Sequence, residues 1–188
     1  MNQKILLIGA GRSATHLIDY LANEGLQNNW EISITDRDMN LANSKAIYSN
    51  TVPVNLNIND EEALNKAVGA HDIVISMLPA HMHIPVAKSC LKMGRNMVTA
   101  SYLSDEMKQM DADVRAAGLI FLNEVGLDPG LDHLSAKLII DRLHSQGFAI
   151  REFESFTGGL VAPENDDNPW HYKFTWNPRN VVLAGQGG

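Results

Sequence analysis

The chain has 188 residues, of which 45% are hydrophobic and 20% are charged, an ordinary composition for a globular protein. Its formal net charge of −7 argues against a protein that binds nucleic-acid backbones. A single cysteine, Cys90, excludes an intrachain disulfide, and no apolar run is long enough for a signal-peptide core or a membrane span. We therefore expect a cytoplasmic protein with no nucleic-acid and no membrane partner.

Short β-rich runs alternate with helical stretches over the first 122 residues, which is typical of a parallel α/β sheet. Strands are predicted over residues 4–8, 31–35, 52–56, 72–78, 96–99 and 119–122. Helices are predicted from residue 13 to a left-handed end at Gly25, and over residues 60–68, 84–93 and 104–117. Six strands in this alternation predict a Rossmann domain with a doubly wound parallel sheet.

The pattern changes after Asn123. A turn at 128–130 leads to a predicted amphipathic helix over 131–145 and a predicted strand over 149–156. Residues 157–178 show no periodicity, and 181–184 read as another strand. We expect residues 1–124 to form the nucleotide-binding domain. Residues 125–188 are expected to begin a second α/β domain, for substrate binding and dimerisation, which the chain leaves incomplete.

The turn Gly9-Ala10-Gly11-Arg12-Ser13-Ala14 follows the first strand and opens the first helix. Gly9 allows a tight turn, Gly11 lets the backbone approach a pyrophosphate, and Ala14 keeps the helix near the sheet. The helix N-terminus offers free N–H groups to phosphates. A glycine-rich turn that binds nothing is the alternative, but an acid at the end of the second strand supplies the expected context. We predict a dinucleotide site that includes Gly9, Gly11, Arg12, Ser13 and Ala14.

Asp36 stands at the carboxyl end of the second strand. A carboxylate there accepts hydrogen bonds from the ribose hydroxyls and repels a 2′-phosphate, which favours NAD over NADP. Arg37 beside it and Arg12 in the turn would instead face a 2′-phosphate, although a solvated surface charge is the commoner role of a lone arginine. The sequence thus predicts NAD or NADP, with NAD favoured by Asp36.

Candidate residues also follow the later strands. Ser76, Leu78 and Pro79 end the fourth strand, where they either border the nicotinamide ribose or form an ordinary strand exit. Tyr102, Asp128 and His133 are candidates for proton transfer or substrate binding. The alternatives are a packed core tyrosine and, for Asp128, a helix cap.

A metal site is not predicted. His81 and His83 lack the spacing and the third ligand that a transition metal needs. Cys90 lies among apolar residues of a predicted helix, which favours a small buried hydrophobe over a nucleophile.

Three blocks of the sequence carry a resemblance to a known family. The first is Asn-Met-Val-Thr-Ala-Ser-Tyr over 96–102, and the second is Asn-Glu-Val-Gly-Leu-Asp-Pro-Gly-Leu-Asp-His over 123–133. The third begins with Phe-Thr-Gly-Gly-Leu over 156–160 and continues through Pro163-Glu164, Asn168-Pro169 and Tyr172-Lys173-Phe174. The chain resembles the saccharopine dehydrogenase family, of the glutamate-forming type. The resemblance implies an NAD(P)-dependent oxidoreductase of lysine metabolism that acts on CH–NH bonds.

The implied reaction interconverts saccharopine with 2-aminoadipate semialdehyde plus glutamate, by hydride transfer to or from an imine. Tyr102, Asp128 and His133 would line the cleft between the cofactor and substrate domains. Family members are typically much longer, so the chain is expected to be an N-terminal fragment. Many reductases of this type use NADPH, whereas Asp36 favours NAD.

Two alternatives remain open at this level. A carboxynorspermidine-type dehydrogenase performs similar chemistry on an amine substrate, and a non-catalytic dinucleotide-binding module would bind the cofactor without turnover. The aromatic side chains at 170, 172, 174 and 176 form either a partner surface or an unfinished core. A homodimer is one oligomeric state that the sequence allows.

Overall fold

A computed structural model describes residues 2–156, 158 and 161–173. The chain divides into two compact units, one up to Leu138 and the other from Ile139 onward. The first unit holds a six-stranded parallel sheet in the order β3-β2-β1-β4-β5-β6. The strands are β1 Gln3–Ile8, β2 Trp30–Thr35, β3 Thr51–Val54, β4 Ile73–Ser76, β5 Asn96–Thr99 and β6 Phe121–Leu122. The strand order reverses between β1 and β4, which confirms the predicted doubly wound Rossmann fold.

Seven α-helices lie within the described residues. They are α1 Thr15–Asn28, α2 Met39–Lys45, α3 Glu61–Gly69, α4 His83–Met93, α5 Asp105–Gln109, α6 Asp111–Ala116 and α7 Leu131–Ser145. Short 3₁₀ turns cover Arg12–Ala14, Ala80–Met82 and Pro163–Asn165. Side chains of Asp38, Asp60 and Ser104 cap α2, α3 and α5 by accepting a backbone N–H from the first turn.

The core lies on both faces of the sheet, which explains why β1 reads as a continuous apolar run. Leu6 and Ile8 point to one face, where they join a cluster with residues of α3 and α4. Ile5 and Leu7 point to the other face, where they join residues of α1 and of β2. Because successive side chains of a strand alternate between faces, the sheet is covered on both sides and its ligand must approach from an edge.

Two helix predictions need correction. Gly25 does not end α1; the helix continues to Asn28, and Asn29 takes the left-handed conformation with φ 56°. A side chain at Gly25 would lie 2.6 Å from Asn50 Nδ2, so glycine here allows a close approach inside the helix. The helix predicted over 104–117 divides at Met110 into α5 and α6. The helix α2 was not predicted, since it is only seven residues long.

The carboxyl-terminal segment departs further from the prediction. The helix predicted over 131–145 is confirmed as α7, although none of its residues is buried. Residues 149–156, predicted as a strand, form none. An isolated strand leaves its backbone groups unpaired, and the described residues of the second unit contain no other strand to pair with it. The predicted strand at 181–184 and the aromatic residues Phe174 and Trp176 lie outside the described residues.

The described residues show neither a membrane-spanning helix nor a metal-binding group of side chains. None of their helices combines the length and the apolar character needed to cross a membrane. No three of their His, Cys, Asp or Glu side chains are grouped closely enough to hold a metal ion.

Candidate cofactor site

The first turn of the site is built on Gly9, directly after β1. Its φ of +104° is a conformation that other residues rarely adopt, and an added Cβ would lie 2.9 Å from the carbonyl oxygen of Met77. The Gly9 N–H donates to the Thr35 carbonyl over 2.7 Å, and the Met77 N–H donates to the Ile8 carbonyl over 2.8 Å. These bonds join the carboxyl ends of β1, β2 and β4 tightly, and only glycine fits between them.

Gly11 has a different surrounding. Its φ of −62° suits any residue, and an added Cβ would meet no protein atom within 4 Å. Neither the backbone nor a protein neighbour therefore requires glycine here. The open space in front of Gly11 lies at the start of the 3₁₀ turn and α1, where N–H groups lack helical partners. This part of the chain fits the pyrophosphate of a dinucleotide.

The other residues of the turn divide between core and surface. Ala14 is buried against the sheet, as expected for close packing of α1. Arg12 and Ser13 are exposed. The start of α1 is therefore open to solvent, and a phosphate group would have room to bind there.

Asp36 is half-buried beside the glycine turn. Its Oδ2 accepts the N–H of Ala10 over 2.8 Å, and its Oδ1 accepts the N–H of Asp38 over 3.0 Å. Both carboxylate oxygens thus hold the backbone of the site in shape. Arg37 and Arg12 are exposed, and neither forms an ion pair with any described residue.

A hydrogen-bonded cluster joins the ends of β4 and β5. The Nδ1 atom of His83 lies 2.8 Å from Ser76 Oγ, and its Nε2 atom lies 2.7 Å from Ser101 Oγ. Thr99 Oγ1 lies 3.3 Å from the same Nε2 and accepts the N–H of Ser101 over 3.2 Å. Ser76 and Thr99 are opposite each other in the parallel register of β4 and β5. We call these four residues the His83 cluster.

The imidazole of His83 is neutral at physiological pH. It is only 4% exposed, and burial lowers its pKa from the ordinary value of 6.5 to about 4, with a smaller contribution from the charge of His81. His83 is not among the predicted site residues, because its pattern in the sequence, His81-Met82-His83, suggests only a metal site and does not fit one. The signal was three polar residues at the carboxyl ends of two buried strands, with a histidine at the start of the next helix.

The remaining predicted strand-end residues have separate surroundings. Ser76 is buried within the His83 cluster. Leu78 is partly buried and packs against the core on the α3 and α4 face. Pro79 is exposed and precedes the 3₁₀ turn Ala80–Met82. Cys90 is fully buried, which confirms it as a small hydrophobe, and burial raises the pKa of its thiol to about 12.

The loops after β5 and β6 are tied together. The Glu124 N–H donates to the Ser101 carbonyl over 3.0 Å, and the Leu103 N–H donates to Glu124 Oε1 over 3.0 Å. Tyr102 lies between these contacts with 61% of its surface exposed, so it is not a packed core tyrosine. The structure thus brings the Tyr102 loop and the loop that leads to Asp128 to the same edge of the sheet.

Asp128 and His133 lie at the start of α7. The Asp128 side chain is exposed and makes no hydrogen bond to a described residue. The backbone N–H of Gly130, just before α7, donates instead to the Asp132 carboxylate over 2.8 Å. The Nδ1 atom of His133 lies 2.8 Å from Asp132 Oδ1. That hydrogen bond, above all, raises the pKa of His133, and the negative charges of Asp132, Asp128 and Glu124 act in the same direction.

The fold and the glycine turn define a dinucleotide-binding domain of the Rossmann class. Two family models match the chain, the saccharopine dehydrogenase NADP binding domain over residues 5–122 and the saccharopine dehydrogenase C-terminal domain over residues 126–188. The chain therefore belongs to the saccharopine dehydrogenase family, as the sequence resemblance predicted.

Similar curated proteins include the saccharopine dehydrogenase (NADP(+), L-glutamate-forming) of Saccharomyces cerevisiae. It is 39% identical over 186 residues, which cover 98% of this chain and 41% of that protein. The mitochondrial alpha-aminoadipic semialdehyde synthase of Mus musculus is 39% identical over 96% of this chain and 19% of its own length. The chain thus spans two fifths of the first relative and a fifth of the second.

Two solved structures are also similar to this chain. The apo saccharopine dehydrogenase (L-Glu forming) from Saccharomyces cerevisiae matches with a TM-score of 0.85 and 37% identity, over 97% of this chain and 40% of that one. An NAD binding oxidoreductase from Klebsiella pneumoniae matches with a TM-score of 0.55 and 19% identity, over 76% of this chain and 39% of that one. The second match extends to the fold alone.

Proposed function

We propose that this chain carries the cofactor half of an NADP-dependent saccharopine dehydrogenase, which interconverts saccharopine with 2-aminoadipate semialdehyde plus glutamate. The observation that carries the proposal is the 39% identity to the L-glutamate-forming enzyme along 98% of this chain. The relatives named above favour the saccharopine reaction over the carboxynorspermidine alternative. The substrate is then a small amino acid derivative.

The chemistry divides between the bound cofactor and the residues of this chain. When bound, the nicotinamide supplies or accepts the hydride. The glycine turn at Gly9 and Gly11 holds the pyrophosphate, and the carboxyl ends of β4 and β5 border the nicotinamide half. Because a carbon–nitrogen double bond is reduced as its cation, the protein must chiefly place the substrate and support positive charge.

We assign the substrate side to the three residues that follow β5 and β6. The exposed carboxylate of Asp128 supports the positive charge of the substrate nitrogen. The bond to Asp132 raises the pKa of His133 and so favours its protonated form, which would bind a substrate carboxylate or return a proton. The Tyr102 hydroxyl donates a hydrogen bond at the same edge.

For the cofactor we propose NADP(H) rather than the NAD that Asp36 favours. Both oxygens of Asp36 already accept backbone N–H groups, at 2.8 Å and 3.0 Å, which gives this carboxylate a structural role. The exposed guanidinium groups of Arg37 and Arg12 are suited to a 2′-phosphate. The name of the matched nucleotide-binding family model and the names of the fungal relatives support the same choice.

We also propose the predicted division into a nucleotide-binding domain and the start of a second domain. The two family models meet between residues 122 and 126, which supports the predicted boundary at 124 and 125. The second domain would then begin in the loop that carries Asp128. The homodimer and the cytoplasmic location remain predictions from sequence.

The test is a spectrophotometric assay of the full-length protein. Incubation with saccharopine should reduce NADP+ faster than NAD+, and carboxynorspermidine should give no signal with either cofactor. Cofactor binding without turnover of saccharopine would favour the non-catalytic module instead. Turnover of carboxynorspermidine alone would assign the other dehydrogenase.

A further inference from the structure

The His83 cluster connects a buried part of the sheet to its open edge. Ser76 is 1% exposed and Thr99 is 2% exposed, so neither hydroxyl can touch a ligand. Ser101 is half-buried and stands two residues beyond β5. Of the three hydroxyl groups around the imidazole, that of Ser101 is therefore the most accessible to a ligand.

A neutral imidazole imposes opposite roles on the two serine hydroxyls. One ring nitrogen carries a proton and donates it, whereas the other nitrogen accepts. The serine that accepts from the ring keeps its own proton for another partner, and the serine that donates to the ring offers only lone pairs. In either tautomer, the 2.7 Å contact with His83 therefore determines whether the Ser101 hydroxyl offers a proton or only lone pairs to a further partner.

The position of Ser101 indicates its partner. In a doubly wound sheet the two halves of a dinucleotide lie over the strand ends on either side of the switch point. The switch point here lies between β1 and β4, and Asp36 and the glycine turn occupy the adenosine side. The ends of β4 and β5 therefore face the nicotinamide half.

We propose that His83 is a positioning residue, which orients the Ser101 hydroxyl for a hydrogen bond to the nicotinamide half of the bound cofactor. This inference rests on the proposed cofactor site. In this arrangement, buried His83 does not contact the cofactor itself. It determines whether the Ser101 hydroxyl, which does contact the cofactor, acts as a donor or as an acceptor.

The test is calorimetric titration of the chain with NADPH and with adenosine 2′,5′-bisphosphate, which lacks the nicotinamide half. His83→Leu and Ser101→Ala should each weaken NADPH binding about threefold to tenfold, the loss of one hydrogen bond, and leave the bisphosphate within about twofold. The double variant should bind NADPH no more weakly than Ser101→Ala. His83→Gln, which keeps a donor and an acceptor, should recover part of the affinity.

The chain offers a matched control in His71. Its Nε2 lies 2.8 Å from Ser33 Oγ and its Nδ1 lies 2.6 Å from the Ala67 carbonyl, so it is another buried histidine bonded to a serine. It precedes β4 instead of following it. His71→Leu should therefore change the affinity for the two ligands equally or not at all.

Three results would overturn the inference. Unchanged NADPH binding by His83→Leu and Ser101→Ala would remove the assigned contact. An equal loss for both ligands in both variants would leave His83 a purely structural residue. An unmodified chain that binds neither ligand would refute the proposed cofactor site together with this inference. As a second readout, the imidazole ¹⁵N signals of His83 should shift with NADPH and stay fixed with the bisphosphate.

Discussion

The carboxyl edge of the sheet is built in two ways on the two sides of the β1–β4 switch point. On the β1 side each contact involves a backbone group: the Gly9 N–H donates to the Thr35 carbonyl, and the Asp36 carboxylate accepts the N–H of Ala10. On the β4 side the contacts join side chains, with His83 between Ser76 and Ser101. The first side therefore depends on backbone conformation, whereas the second depends on the protonation and hydrogen bonding of one histidine.

The largest effect is expected from Gly9→Ala. The alanine must adopt a φ of +104° and place its Cβ 2.9 Å from the Met77 carbonyl oxygen. We expect a loss of about 3 kcal/mol or more in the free energy of unfolding, measured with urea, because strain and a backbone clash add. Gly94→Ala is the control, since Gly94 also has a positive φ, of +67°, but open space around it. Equal losses in the two variants would contradict the backbone account of the Gly9 turn.

Gly11→Ala separates binding from stability. The added methyl group has no protein neighbour within 4 Å, so the free energy of unfolding should change by less than about 0.5 kcal/mol. Affinity for NADPH should fall about tenfold or more, because the methyl group occupies the approach of the pyrophosphate. Calorimetry measures the affinity. Wild-type affinity in this variant would place the phosphates elsewhere.

The β4 side should respond to pH through His83. The unfolded chain has an ordinary histidine pKa of 6.5, and the folded chain has a pKa of about 4. Between these values the unfolded state binds the extra proton, so stability falls as the pH drops from 6.5 to 4, by at most about 1.4 kcal/mol per pH unit. Above 6.5 this contribution is constant.

Urea unfolding of the wild type and His83→Gln at several pH values checks this expectation. The stability advantage of the wild type should shrink as the pH falls through that window, because the variant lacks the titrating group. The comparison cancels the opposite contribution of His133, which both proteins share. A difference that stays constant with pH would mean that His83 is not held neutral.

The smallest effect is expected from Arg37→Ala. Loss of one exposed charge near a 2′-phosphate should weaken NADPH binding about threefold to tenfold and leave NADH binding within about twofold. Lys45→Ala removes a charge that instead contacts Thr15, and it should affect the two cofactors equally. If Arg37→Ala weakened NADPH binding and NADH binding equally, Arg37 would not contact the 2′-phosphate.

The sequence predicted the parts of the molecule whose signals are local in the chain. An apolar run covered on both faces predicted β1, and a glycine between strand and helix predicted the turn at Gly9. Ser104 began a helix as expected, because its hydroxyl accepts the N–H of Met107. The sequence signal for each of these features lies within a few positions in the chain, although Gly9 also has a tertiary neighbour in Met77.

Other features depend on tertiary contacts. The His83 cluster requires the register that sets Ser76 beside Thr99, which no single segment reveals. Gly25 is explained by Asn50, which lies in another segment. Residues 149–156 have the composition of a strand, but strand formation needs a partner as well.

The proposed function depends on an NADP(H) site at the Gly9 turn and its neighbours. Titration of the unmodified 188-residue chain with NADPH and NADH by calorimetry tests it most directly. We expect saturable binding of one cofactor per chain, tighter for NADPH than for NADH. No heat with either cofactor at millimolar concentration, or tighter binding of NADH, would contradict it.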